Sequence, residues 1–158
     1  MAARTEFAIS STEPTVTMSR VFDAPRALVY RALTEPAYKS RWYGPHGYEV
    51  VSCEMAVRVG GAYRIVQRSP DGDEFGFHGE YREVVSPSRL VYTWIFEGMP
   101  DKVAVTTDVL EEEGERTRWT ATTRFETLAD RDGFVATGAE HGARESIDRL
   151  DAVLASMA

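Results

Sequence analysis

Along the C-terminal stretch 129–157 the core-type positions recur at spacings of three and four: Val135, Ala139, Gly142 with Ala143, Ser146 with Ile147, Leu150, Val153 with Leu154, and Met157. That period predicts one amphipathic helix, about 40 Å long at about 1.5 Å per residue, enough to cross a small domain. The stripe changes character along its length. After Val135 the first half carries only small side chains, while the second half carries large aliphatic ones, so only the second half fills a packed interior by itself. The small half has two readings: close approach of the helix backbone to a sheet, or a void beside the helix.

Upstream the pattern shifts to alternation. Residues 1–13 are polar and read as a loosely held leader with a short first strand segment, and 14–158 reads as a single domain. Val16, Met18, Arg20 and Phe22 alternate with Thr15, Thr17, Ser19 and Val21, which predicts a strand. Asp23-Ala24-Pro25 then opens a helix carrying Leu28, Val29, Ala32 and Leu33, and a second short helix runs from about Pro36 to Trp42 before Gly44-Pro45 stops it. Strands follow over Tyr48–Val57, Ala62–Arg68, Glu74–Val85, Arg89–Phe96, Lys102–Leu110 and Arg116–Phe125, separated by Gly60-Gly61, Pro70-Asp71-Gly72, Pro87 and the acidic tip Glu111-Glu112-Glu113-Gly114. About seven strands in consecutive hairpins imply an antiparallel sheet with helices gathered on one side, an α+β fold.

At 158 residues and 43% hydrophobic content the chain suits one domain with a sizeable core. A formal charge of −7 and the lack of Lys/Arg clusters argue against nucleic acid as a partner. Cys53 is the only cysteine, so a disulfide within the chain is excluded and a reducing, cytoplasmic setting is expected. Neither a signal peptide nor a membrane span is read from the apolar runs.

Six segments together carry a family resemblance: Phe22-Asp23-Ala24-Pro25, Arg41-Trp42-Tyr43-Gly44-Pro45, Gly60-Gly61-Ala62-Tyr63-Arg64, Pro70-Asp71-Gly72, Gly79-Glu80-Tyr81-Arg82-Glu83-Val84 and Arg89-Leu90-Val91-Tyr92-Thr93-Trp94. In this order they resemble the SRPBCC (START-like, Bet v 1-like) superfamily, and within it the branch similar to the C-terminal domain of the Hsp90 ATPase activator. The resemblance spans about Thr15 to Ala155. It implies a helix-grip fold, in which a curved antiparallel sheet wraps a long C-terminal helix around an apolar cavity. Two departures stand out: the Trp pair common before Gly-Pro is Trp42-Tyr43 here, and Ala143 follows Gly142 where similar chains often have an aromatic residue. Loss of that side chain would enlarge or reshape a pocket, which favours the void reading of the small half-stripe.

Catalytic signatures are absent. There is no Gly-x-Ser-x-Gly, phosphate-binding loop or dinucleotide fingerprint, and His46, His78 and His141 are too widely spaced for a metal motif. No catalytic residue, metal or cofactor is therefore expected. His78 reads as a solvated or edge-pairing histidine, His141 as exposed, and Arg64, Arg118 and Glu145 as surface charges. The positive signal is aromatic: Tyr and Trp bring polar atoms that need partners when buried, so several around one cavity suit a ligand with apolar and hydrogen-bonding parts. The expected ligand-binding set is Trp42, Tyr43, His46, Tyr63, Phe77, Tyr92 and Trp94 from the loop and strands, with Ala139, Gly142, Ala143 and Ser146 from the helix. The expected function is binding of a small hydrophobic or aromatic molecule. A cyclase- or aromatase-like enzyme is the first alternative and an Hsp90-type chaperone-interaction module the second; a homodimer is the further partner considered.

Overall fold

The strand periodicity closes into a single sheet in the computed structural model, which describes residues 4–157. The strands are β1 (Glu6–Ile9), β2 (Thr15–Phe22), β3 (Glu49–Met55), β4 (Ala62–Arg68), β5 (Glu74–Val85), β6 (Arg89–Phe96), β7 (Ala104–Glu113) and β8 (Arg116–Arg124). Helices α1 (Arg26–Thr34) and α2 (Pro36–Trp42) interrupt them, and α3 (Leu128–Ala136) and α4 (Ala139–Met157) follow. The order across the sheet is β1-β2-β8-β7-β6-β5-β4-β3, every neighbour antiparallel. Hairpins generate most of this order; the β2–β8 pairing brings the chain's two ends together.

Register decides which side chains face the helices. Phe22, Arg20, Met18 and Val16 stand opposite Thr117, Trp119, Ala121 and Thr123, and Leu110, Asp108 and Thr106 continue the same face. Tyr92 and Trp94, Tyr81 and Phe77, Tyr63 and Ile65, and Cys53 extend it to the far edge. Since side chains alternate with period two, this inner face is fixed once any one of its members is buried. Phe22, Leu110, Trp119, Ala121, Tyr63, Ile65 and Tyr81 pack with Val29, Ala32 and Leu33 of α1, Trp42 of α2, and Ile147, Leu150, Val153 and Leu154 of α4 in the main core, while Val16 and Trp94 join Ala104, Phe125 and Phe134 in a smaller second cluster.

The strands number eight, close to the expected seven: the short first strand segment expected within 1–13 is Glu6–Ile9, which pairs along β2 at the sheet edge. One feature differs from the pattern-based expectation. The single helix predicted over 129–157 is two: Gly138 adopts φ 81°, a left-handed conformation that ends α3, and its N–H bonds to Val135 O at 3.2 Å. Thr127 caps α3 by accepting from Asp130 N at 3.0 Å. Arg131, 6% exposed, then binds the carbonyls of Ser10, Glu13 and Thr15, which fixes α3 to the turn between β1 and β2.

The second half of the apolar stripe anchors α4, with Leu150 fully buried and Ile147, Val153 and Leu154 nearly so. Its flank is held by polar contacts. Buried Arg20 of β2 reaches Asp148 at 2.7 Å and Asp151 at 3.2 Å, while Arg149 binds the carbonyls of Arg41, Gly44, Pro45 and Tyr48. Thus α4 clamps the α2–β3 loop over one end of the inner face. Among the described residues no helix is long and apolar enough to cross a membrane.

Candidate functional site

Among the inward residues that break the apolar character of the core, five lie together toward α2: Lys39 on α2, Tyr43 just after it, Cys53 on β3, Tyr92 on β6 and Asp108 on β7. Helical geometry brings Lys39 beside the two aromatics that follow it, because residues three and four apart share a face. Its Nζ lies 4.5 Å from the centroid of the Trp42 ring and 5.3 Å from that of Tyr43. Those ring faces are its closest recorded partners. It makes no hydrogen bond or ion pair among the described residues, and Asp108 and Cys53 act on it only through space.

Asp108 lies on the inner face because it alternates with Thr106 and Leu110, all three buried. Trp119 Nε1–H donates to its Oδ1 at 3.2 Å, and the Tyr92 hydroxyl stands beside the same carboxylate. Burial raises the Asp108 pKa, and the positive charge of Lys39 and these two donors hold it back. Burial also lowers the Lys39 pKa, lifts that of Tyr43 to about 12, and raises Tyr92 well above the ordinary phenol value. In all four groups burial disfavours the charged form.

Aromatic rings cluster beside these groups. Tyr63, Tyr81 and Tyr92 form a triangle with centroids 5.5, 5.7 and 5.8 Å apart. Tyr63 can lie flat against the sheet because Gly79 has no side chain: a Cβ there would sit 2.8 Å from Tyr63 Cε1, whose hydroxyl donates to Thr93 O at 2.6 Å. A second ring series runs Tyr43, Phe77, Trp94, Phe134, with centroid steps of 5.7, 5.4 and 5.8 Å. Trp94 Nε1–H donates to the Tyr43 hydroxyl at 3.2 Å, tying together the two rings on either side of Phe77.

With the geometry established, the sequence can be placed among known proteins. Residues 23–155 match the family model described as Activator of Hsp90 ATPase homolog 1-like protein. The chain belongs to this AHSA1-like family, within the SRPBCC superfamily. A protein of Nitrosomonas europaea has the same fold at a TM-score of 0.84 and 26% identity, over 94% of this chain and 98% of that one. A protein of Arthrobacter aurescens gives a TM-score of 0.88 at 26% identity, over 96% and 91% of the two chains. One from Rhodobacter sphaeroides shares the fold at a TM-score of 0.89 and 23% identity, covering 97% of this chain and 99% of that one. No match was found among curated proteins.

The residues singled out from sequence divide into three groups in this AHSA1-like domain. Tyr43, Phe77 and Trp94 come together in one ring series and Tyr63 and Tyr92 in another, with Trp42 beside Lys39 and its Nε1–H spent on Ala32 O at 2.9 Å. Ala139, Gly142, Ala143 and Ser146 lie on α4, where two have structural partners. Ser146 Oγ donates to Trp42 O and accepts from Gly44 N, and a Cβ on Gly142 would meet Pro45 Cγ at 3.2 Å, so that glycine serves close packing on the loop. His46 stands apart, exposed in the loop that Arg149 holds. His78 lies on the outer face, 2.9 Å from Glu97, which Arg64 also binds. Among the described residues no three His, Cys, Asp or Glu side chains gather as a metal site.

Pattern reading passed over Lys39, Tyr81, Asp108 and Trp119. A signal for two of them existed: Lys39 precedes Trp42 and Tyr43 by three and four, and Asp108 keeps step with Leu110. An ammonium desolvated without a bonded counter-ion costs stability, so Lys39→Met is expected to stabilise the unliganded domain by about 1 kcal/mol or more. The sign follows from linkage: a lowered folded pKa makes the cost present below that pKa and relieves it as pH rises toward the ordinary 10.5. The gain should accordingly be present at neutral pH and shrink in alkaline solution, with Asp108, Tyr43 and Cys53 as the titratable groups facing the amine. Urea unfolding of both proteins across pH measures it; a destabilised variant at neutral pH would mean the amine is bonded in the fold.

Proposed function

We propose that this AHSA1-like domain binds a small, largely aromatic molecule in an enclosed space between the inner sheet face and the segment from Lys39 to Tyr43. One observation supports the reading above others. The rings of Tyr43, Phe77 and Trp94 and those of Tyr63, Tyr81 and Tyr92 gather on the inner face with Lys39, whose Nζ has no bonded partner among the described residues. The ring series supplies stacking faces, and the phenol and amine groups supply orientation, the usual division of labour in a ligand site. By contrast, two open depressions on β4–β6, one of about 440 Å³ beside Glu97 and one of about 270 Å³ beside His78, lack this polar interior set.

N-phenyl-1-naphthylamine, an uncharged dye that fluoresces in apolar surroundings, should give saturable enhancement with a single-site isotherm. Cys53→Phe should abolish it by filling the space with little loss of fold stability, as followed by urea unfolding. Absence of enhancement with the wild-type domain would sink the reading.

A second reading draws on Asp108 and Lys39 themselves. Burial raises the pKa of the acid and lowers that of the base, an arrangement that suits proton transfer in cyclase-type chemistry on a polyketone chain. Turnover of such a chain by the wild type and its loss in Asp108→Asn would favour this reading. The chaperone alternative draws on the family description alone.

A further inference from the structure

We infer that the ligand carries an anionic group, a carboxylate or phenolate conjugated to an aromatic ring, and that this group seats on the Lys39 ammonium. The inference deepens the binding reading above and rests on it. It comes from a comparison of the cations that reach into the fold. Arg20 is taken up by Asp148 and Asp151, Arg131 by Asp132 and three carbonyls, and Arg149 by four carbonyls. Lys39 differs from these three: its Nζ makes no hydrogen bond or ion pair among the described residues and lies 4.5 and 5.3 Å from the ring centroids of Trp42 and Tyr43.

A ring face attracts a cation but satisfies none of its hydrogen bonds, so the donors are open to an acceptor. The interior's one buried carboxylate near it, Asp108, is already engaged by Trp119 Nε1 and neighboured by the Tyr92 hydroxyl, and lies beyond ion-pairing reach of Nζ. An anion entering the space therefore gains three charge-assisted donors without displacing a partner. The ring requirement follows from the walls. Tyr43 and Phe77 stand edge-on to one another at 5.7 Å, and Phe77 stacks on Trp94 at 5.4 Å, so the surface that flanks the amine is itself aromatic. A planar acid would offer its charge to Lys39 and its ring to this wall. A fatty acid would meet the charge requirement and leave the wall unmatched.

The test compares 2-naphthoate with its uncharged isostere 2-naphthamide, by calorimetric titration at neutral pH. Wild type should bind the naphthoate at least about tenfold more tightly, the worth of a charge-assisted hydrogen bond in a desolvated site. Lys39→Met should lose that preference while still binding the amide. Equal affinities on the wild type, or a preference that survives in Lys39→Met, would overturn the anion assignment. The wild-type pair alone decides the matter should the variant fail to fold. Laurate serves as the third ligand, and binding of laurate as tight as that of naphthoate would overturn the aromatic half of the assignment. If neither naphthyl compound nor the neutral dye binds, the enclosed-space reading itself fails; if only the dye binds, that reading stands and the anion assignment falls.

Discussion

Leu150→Ala is expected to cost about 2–5 kcal/mol, the range for removing a large aliphatic side chain from a packed core. Leu150 has no exposed surface and sits in the shared core with Phe22, Trp119 and the α1 residues Val29 and Leu33. No neighbour can follow the lost methyls inward without disturbing the sheet, α1 or α4. A domain of this kind has about 5–15 kcal/mol in total, so the variant should unfold at a much lower urea concentration. Met157→Ala, at the half-buried end of the same stripe, should cost much less. A loss below about 1 kcal/mol at Leu150 would mean that α4 is not seated by its aliphatic half.

The second large effect belongs to Gly79→Ala. The added Cβ would lie 1.9 Å from Thr93 O and 2.8 Å from Tyr63 Cε1. The oxygen is backbone on the paired strand β6, so relief requires β5 and β6 to separate, and Tyr63 must leave the place from which it bonds that same carbonyl. Overpacking of this kind costs about 3 kcal/mol. The neighbouring Gly76→Ala provides the contrast. Its Cβ would also be too close, 2.1 Å from an oxygen of Glu97, but that atom ends an ion-paired side chain that can swing away. Gly76→Ala should therefore lose the Arg64–Glu97–His78 cluster and little else. Urea unfolding of the two variants checks the ranking; equal effects would mean that the sheet yields more easily than the contact with Thr93 O implies.

These two positions also show what could be read before the fold was known. Leu150 declared its role in the spacing of α4, because helical periodicity is local and survives without knowledge of what the helix meets. Gly79 announced only an irregular strand. Its reason lies on β4 and β6, in the Tyr63 ring and the Thr93 carbonyl, which no window around residue 79 contains. The small half-stripe of α4 was legible as an anomaly but open as to cause. At Gly142 and Ser146 the partners are Pro45, Trp42 and Gly44, brought over α4 by the α2–β3 loop.

The sequence by itself determined the α+β class, the hairpin succession, both early helices and the aromatic character of the interior. Each of these rests on periods of two or 3.6, on Pro and Gly punctuation, and on residue type, all of which act over a few residues. Tertiary structure alone decided that Gly138 divides the C-terminal helix, that the short first strand lies along β2 at the sheet edge, and that Lys39 and Asp108 face the same interior. The last depends on laying α2 against a sheet whose β7 comes some seventy residues later. Lysine and aspartate default to solvent, and only the packing around them removes that choice.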